Sequence, residues 1–176
     1  MRRLIFIVLC LPLFVFLSNC TAQRYVIVES SSVSLKEYRF LEIKNFESSI
    51  EEDLAHKITD TLPGTIVNEL YSYNLMHPSS QLLSPARSTE EIDRVLILEG
   101  TLISHNNKKQ GKKHFLGLGK EKVSYTVQCT FKDKKTGKTI LQSDFEAESG
   151  GFLGENVEET AGDVASGIVY YLEKHS

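Results

Sequence analysis

Apolar residues follow two different periods along the first half of the chain, and each period predicts a different element. Residues 38–46 alternate aromatic and β-branched side chains with polar ones, which predicts a first core strand. Over residues 50–73 the apolar positions recur every third or fourth residue, which predicts a long amphipathic helix. In segment 48–52 two serines stand three residues before two glutamates, which predicts a doubled capping box. Pro63-Gly64 predicts a kink or a division into two consecutive helices.

The second half of the chain predicts a sheet followed by a helix. Apolar residues occupy both parities over 95–103, which predicts a central strand covered on both faces. Residues 123–131 alternate strictly, so they predict a half-buried strand that a turn at 133–137 joins to a partner at 139–148. An apolar stripe over 157–172 predicts a C-terminal helix. The order favours a single-domain α/β sandwich: a mixed, mainly antiparallel sheet on which a long N-terminal helix and a C-terminal helix pack.

Residues 1–19 have the features of a secretion signal. Two arginines precede the apolar run Leu4–Phe16, whose length of about 13 residues is short of the roughly 20 needed to span a bilayer. The run ends in Leu17-Ser18-Asn19-Cys20, which resembles a bacterial lipobox, in which a signal peptidase cuts before the cysteine and its thiol carries diacylglycerol. We therefore predict a lipidated Cys20. The alternative is an ordinary signal peptide that is cut after Ala22.

This prediction divides the chain into a signal peptide at 1–19, a lipidated cysteine and tether at 20–36, and an α/β domain at 37–176. Thr21 follows the cysteine, and in the best-studied bacterial sorting rule this implies export to the outer membrane. The expected location is the cell envelope, as an outer-membrane lipoprotein that faces the periplasm or the surface. The expected first partner is the membrane, through the lipid anchor. After cleavage and acylation Cys129 is the one unmodified thiol, so no intramolecular disulfide is available.

The composition is that of one soluble globular domain, but the charge is unevenly distributed. The 176 residues carry 20 Lys+Arg and 23 Asp+Glu and are 41% hydrophobic, which excludes collagen-like, disordered and multi-span membrane proteins. Segment 108–138 carries +8, whereas the rest of the mature chain carries -13. The connection at 105–122 is longer than the usual 2 to 6 residues and is strongly basic.

We name residues 108–122, which carry the lysines of this connection, the basic loop. Its candidate contacts with an anion or a partner are Lys108, Lys109, Lys112, Lys113, Phe115, Leu116, Lys120 and Lys122. Cations around apolar groups suit an anionic lipid headgroup, an acidic glycan or an acidic envelope protein. The alternative is a solvated loop whose lysines discourage edge-to-edge pairing. Nucleic acid fits the charge but not the compartment.

Other short motifs do not carry chemistry. Gly137-Lys138-Thr139 spells the end of a phosphate-binding loop, but position 132 is Lys instead of Gly, and the context is a hairpin turn. Gly117-Leu118-Gly119 lacks the third glycine of a dinucleotide-binding fingerprint. No two histidines have the i, i+4 spacing of a zinc site, and Cys129 lies on the apolar parity of its strand, where a buried inert thiol is expected. We predict no cofactor, no metal and no catalytic residue.

Several segments from Tyr38 onward resemble one family of small bacterial lipoproteins, domain of unknown function 4410. The segments that carry the resemblance are Leu98-Glu99-Gly100-Thr101-Leu102, Phe115-Leu116-Gly117-Leu118-Gly119, 123–131, Asp133 and Thr136-Gly137-Lys138. The layout is also similar to the periplasmic α/β domains of curli-secretion-channel and penicillin-binding-protein-activator lipoproteins. The resemblance implies an envelope accessory or interaction domain and brings no catalytic residues.

Two hypotheses of different classes follow. The first is a membrane-anchored, non-enzymatic lipoprotein that acts in binding or assembly through an exposed sheet edge or the basic loop. The second is an envelope hydrolase whose active site is assembled from residues distant in sequence. A concave pocket with converging ionisable side chains would favour the second hypothesis.

Overall fold

The structure, a computed structural model, describes residues 34–79, 82–86, 92–108, 122–149 and 156–176. The strands are β1 (Phe40–Ile43), β2 (Glu47–Ser48), β3 (Ser84–Pro85), β4 (Val95–Lys108), β5 (Lys122–Asp133) and β6 (Thr139–Ser149). The helices are α1 (Asp53–Met76) and α2 (Val157–His175), and a 3-10 turn at Ile92–Arg94 precedes β4.

The six strands form one mixed sheet in the order β3-β1-β4-β5-β6, with β2 also paired to β4. The pairs β1–β3, β1–β4 and β2–β4 are parallel, whereas β4–β5 and β5–β6 are antiparallel. Along one side of β4, β1 pairs with Val95–Leu98 and β2 with Thr101–Leu102, so they act as one interrupted strand. This arrangement confirms the predicted single α/β domain with a mixed sheet.

The hydrophobic core lies between the helices and one face of the sheet. The alternation predicted for β5 is confirmed, because Tyr125, Val127, Cys129 and Phe131 are all completely buried. Residues of both helices cover them, notably Ile58, Leu62, Ile66 and Leu70 of α1 and Ala161, Ala165, Ile168 and Leu172 of α2. The prediction that the central strand is covered on both faces is wrong for the described residues. The outward side chains of Ile97, Glu99 and Thr101 are half-buried, and that of Ile103 is 39% exposed.

The predicted division into two helices at Pro63 and the predicted capping box are wrong, while the alternative of a kink at Pro63 stays a prediction. The helix runs without a break through Pro63, because its buried stripe packs against α2 and the sheet on both sides of the proline. The capping box is absent: the N-cap is Glu52, which makes no side-chain cap hydrogen bond. Ser49 donates its hydroxyl to the carbonyl oxygen of Leu102 at 2.8 Å instead, because β2 draws this segment onto β4. The second helix is capped by Asn156, whose side-chain oxygen accepts from the backbone N–H of Glu158 and Glu159.

Two glycines have a structural reason. Gly137 adopts a φ of 69° in the turn between β5 and β6, which confirms the hairpin interpretation of Gly137-Lys138-Thr139. Gly100 lies at the middle of β4 directly beneath the ring of Phe46, and a Cβ there would come within 2.1 Å of Phe46 Cε1. The absence of a side chain at Gly100 therefore lets the segment between β1 and β2 pack on the central strand.

Candidate interaction surfaces

The long central strand separates two ends of the domain. We name them the Leu35 end, where the described chain begins near the start of β4, and the loop end, where β4 and β5 meet the basic loop. At the loop end Lys108 is the Cα partner of Lys122. The 14 residues of β4 span about 45 Å, so the basic loop begins about that far from the Leu35 end.

The structure brings two of the predicted contact residues together and leaves the others untested. Lys108 and Lys122 are the last and first residues of neighbouring strands, so the basic loop begins and ends at one place. The remaining predicted contacts, Lys109, Lys112, Lys113, Phe115, Leu116 and Lys120, lie outside the described residues. Cys20 also lies outside them, so its lipidation stays a prediction.

At the Leu35 end three chain segments converge. The backbone N–H of Leu35 donates to the carbonyl oxygen of His175 at 2.8 Å, which places the beginning of the described chain beside the end of α2. The N–H of Leu82 donates to the side-chain oxygen of Asn74 at 2.7 Å, which ties the end of α1 to the segment before β3. A groove of about 480 Å³ opens between these segments. It is lined by Leu35, Lys36, Tyr38, Arg39, Phe40, Leu82, Leu83, Ser84 and Ser176.

A hydrogen bond between Tyr38 and Asp133 connects two elements at the Leu35 end. The hydroxyl of Tyr38 donates to Asp133 Oδ2 at 3.1 Å, so the segment before β1 is fixed to the end of β5. Burial, followed by this hydrogen bond, raises the pKa of Tyr38 to about 12. Hydrogen bonds from the hydroxyl and backbone N–H of Thr136 lower the pKa of Asp133. Because of these two pKa shifts, Tyr38 is a neutral phenol and Asp133 a carboxylate at neutral pH, so the phenol donates and the carboxylate accepts.

Exposed cations surround this end. Lys36, Arg39 and Arg94 are exposed and form no ion pair with another described residue. The N–H of Arg39 donates to the carbonyl oxygen of Arg94 at 3.0 Å, so these two basic residues are neighbours. Two nearby lysines in the turn after β5 form ion pairs instead. Lys134 Nζ lies 2.7 Å from Glu42 Oε2, and Lys135 Nζ lies 3.0 Å from Asp93 Oδ1.

An apolar tip projects at the same end. In the last two turns of α1, Tyr71 is 55%, Leu75 82% and Met76 69% exposed. No Asp, Glu, Lys or Arg occurs in residues 70–79. Sequence reasoning missed this surface, because the apolar stripe of the helix was interpreted as core throughout. The run of ten residues without a charge was the available signal.

The outer face of the sheet is polar and its side chains are paired across strands. Lys132 forms an ion pair with Glu99, Gln128 donates to Asp144 at 3.2 Å, and Ser104 donates to Thr126 at 2.9 Å. At the margin of this face lies β6, which is 11 residues long. Among the described residues no strand pairs with its outer side. This margin therefore presents backbone N–H and C=O groups that a further strand could use.

The described part of the chain offers little for chemistry at a reacting centre. The prediction for Cys129 is confirmed: its side chain is completely buried, and burial raises the pKa of the thiol. In the described ranges no three histidine, cysteine or acidic side chains cluster in a way that could hold a metal ion. None of the helices in those ranges is long and apolar enough to cross a bilayer.

Comparison with solved structures identifies the fold. A variant of PelC from Paraburkholderia phytofirmans, a dodecamer, is 10% identical over 85% of this chain and 96% of that chain, with a TM-score of 0.50. Protein XCC0632 from Xanthomonas campestris, of family DUF330, is 10% identical over 78% of this chain and 85% of that chain, with a TM-score of 0.51. Lipoprotein GNA1162 from Neisseria meningitidis is 8% identical over 77% and 99%, with a TM-score of 0.43.

At 10% identity the similarity to PelC and to XCC0632 shows a shared fold. No protein-family model and no curated protein sequence matches the chain. The resemblance to domain of unknown function 4410 therefore stays a prediction.

Proposed function

We propose that this protein is an envelope lipoprotein, anchored through Cys20, that acts as a non-enzymatic binding or assembly accessory of the domain of unknown function 4410 type. The observation that carries the proposal is the position of β6. It is the last strand of the sheet, it is 11 residues long, and no described strand pairs with its outer side. Natural proteins usually shorten or cover such an edge, because it is a template for pairing with another chain.

The side chains of β6 indicate what kind of strand would pair there. Asp144 and Glu146 lie on its outer face, and neither lysine nor proline occurs in the strand. Two copies of β6 paired antiparallel around residues 144 to 146 would place acids opposite acids, which is unfavourable. A strand with cations or hydroxyls at alternate positions fits better. The binding partner that we propose is therefore another envelope protein with such a strand.

The basic loop supplies a second contact in this proposal. Because β4 is about 45 Å long, the loop lies at the opposite end of the domain from the beginning of the described chain. The proposed lipid anchor joins the domain at the Leu35 end, whereas Lys108 and Lys122, where the loop begins and ends, lie at the other end. An acidic glycan or an acidic protein surface is then a better ligand for the loop than the anchoring lipid.

The first test concerns the anchor. The wild-type chain should incorporate an alkyne-labelled fatty acid and fractionate with membranes, whereas Cys20→Ala should do neither or remain unprocessed. Absence of acyl label from the wild type, together with a mature N-terminus at Gln23, would contradict the lipoprotein assignment.

The second test concerns the edge. A photoreactive residue at Gln142, an exposed position of β6, should give a discrete crosslinked product in intact envelopes. The matched control is Asp60, an exposed position of α1, which should give none. A product of twice the chain mass would mean that the partner at this edge is a second copy of this chain. PelC, which has a similar fold, is a dodecamer. Equal yields at both positions would refute a role for the edge.

A further inference from the structure

We propose that the Leu35 end is a membrane-docking surface: the apolar tip of α1 enters the interface of an anionic bilayer while Lys36, Arg39 and Arg94 contact its headgroups. This inference rests on the proposed lipid anchor and adds an orientation to it. The anchor alone would leave the domain free to rotate. The docking surface would hold the sheet upright, with the basic loop away from the membrane.

The apolar tip of α1 is strongly exposed to solvent. Leu75 and Met76 are 82% and 69% exposed, which is unusual for adjacent large apolar residues at the end of a helix whose inner face is completely buried. Tyr71 is one turn earlier on the same side as Leu75 and is 55% exposed. An aromatic ring with a polar hydroxyl, followed by two aliphatic side chains, suits the boundary between headgroups and acyl chains.

The apolar tip is uncharged, and basic side chains lie beside it. Residues 70–79 contain no Asp, Glu, Lys or Arg, so inserting the tip does not move such a charged side chain out of water. The cations lie beside the tip instead. Lys36 and Arg39 line the same groove as Leu82. The backbone N–H of Leu82 is hydrogen-bonded to the side-chain oxygen of Asn74, which lies in the last turns of α1. Although Glu37 is also exposed here, Lys36, Arg39 and Arg94 have no ion-pair partner among the described residues, and they give this end an attraction to anionic headgroups.

The segment that joins Cys20 to the domain enters it at the Leu35 end. The described residues begin at Ser34, and Leu35 is hydrogen-bonded to the end of α2 at this same end. Fourteen residues lie between Cys20 and Leu35, and the fifteen Cα–Cα steps reach at most about 50 Å when fully extended. A lipidated Cys20 is therefore joined to the domain at the Leu35 end, which carries the apolar tip. The occupant of the apolar tip to which the geometry points is this bilayer.

The test measures the depth of single labels in vesicles. The mature acylated protein is reconstituted into vesicles of phosphatidylethanolamine and phosphatidylglycerol, and an environment-sensitive fluorophore is attached to Met76→Cys. The matched control is Ile103→Cys, an exposed apolar position in the loop-end half of β4. Cys129 is completely buried and Cys20 is blocked by its acyl group, so each variant offers one reactive thiol.

Quenching by spin-labelled lipids should be at least twofold stronger at position 76 than at position 103. Lys36→Gln/Arg39→Gln/Arg94→Gln should reduce this difference by half or more, while Lys57→Gln, at an exposed lysine of α1, should leave it unchanged. Salt should act like the triple variant, because the Debye length falls from about 10 Å at 0.1 M to about 3 Å at 1 M.

Equal quenching of the two labels on vesicle-bound protein would overturn the docking surface and leave the anchor intact. A doubled mass in vesicle-free solution that Leu75→Ser/Met76→Ser abolishes would also overturn it, because a second copy would then cover the tip. If acyl label is absent, the anchor proposal fails by itself. The depth measurement is then made with the mature chain tethered to nickel-chelating lipid through an oligohistidine tag at its N-terminus, and the same two outcomes decide the docking surface.

Discussion

Replacement of Gly100 by alanine tests how the middle of the sheet is packed. A Cβ at this position would lie 2.1 Å from Cε1 and 2.3 Å from Cδ1 of Phe46. Carbon atoms in contact prefer a separation of about 3.5 Å or more, so the ring or the strand has to move by at least about 1 Å. Both are held: Gly100 pairs with Cys129 in the centre of the sheet, and the side chain of Phe46 is 6% exposed.

The loss of unfolding free energy depends on whether the strand or the ring of Phe46 moves. If the ring stays in place and the strand adjusts, overpacking of this kind costs about 1 to 3 kcal/mol. If the ring swings out, the chain loses the burial of one phenylalanine, which is about 1.5 to 3 kcal/mol. Both routes predict that Gly100→Ala lowers the free energy of unfolding by about 2 kcal/mol. Without the clash the substitution would be favourable by about 0.5 to 1 kcal/mol, because glycine is unfavourable inside a strand.

The assay is urea unfolding followed by circular dichroism, since the chain has no tryptophan. A double-mutant cycle isolates the contact: in a Phe46→Ala background Gly100→Ala should be neutral or stabilising, which gives a coupling of about 2 kcal/mol. Gly64→Ala is the matched control, because no atom lies within 4 Å of a Cβ there and alanine favours the helix. The packing interpretation is refuted if Gly100→Ala costs the same with and without the ring of Phe46.

Three further predictions concern a tyrosine, a serine and the basic loop. Tyr38→Phe should cost about 1 kcal/mol at neutral pH, because it removes the hydrogen bond to Asp133. Between pH of about 10, where the unfolded phenol ionises, and about 12, the folded pKa, wild-type stability should fall relative to Tyr38→Phe; parallel pH profiles of the two proteins would contradict this. Ser143→Ala should raise the free energy of unfolding by about 1 kcal/mol, since the buried Ser143 hydroxyl has no hydrogen-bond partner among the described residues; destabilisation in urea would count against this. Gln at four of the six lysines of the basic loop, compared with Lys57→Gln, should weaken binding to polygalacturonate about tenfold, and unchanged affinity would support a solvated loop; the four are Lys109, Lys112, Lys113 and Lys120.

The sequence determined those parts of the protein whose cause is local or strictly periodic. Alternation over 123–131 specified which side chains of β5 face the core, because a strand turns one face inward at every second residue. Gly137 marked the hairpin because the turn requires a positive φ. The N-terminal segment predicted a secretion signal and a lipidated Cys20, features that a processing enzyme recognises in an unfolded chain.

Tertiary structure decided where local preference and packing compete. Proline inside a helix predicts a break, but buried residues on either side of Pro63 keep α1 continuous. The serines before α1 have the spacing of a cap, but pairing with β4 turns the hydroxyl of Ser49 toward Leu102. The gathering of Leu35, the end of α1 and the end of α2 at one end of the sheet could not be predicted, because residues so far apart in sequence meet only when the sheet order is set. The proposed docking surface depends on that order.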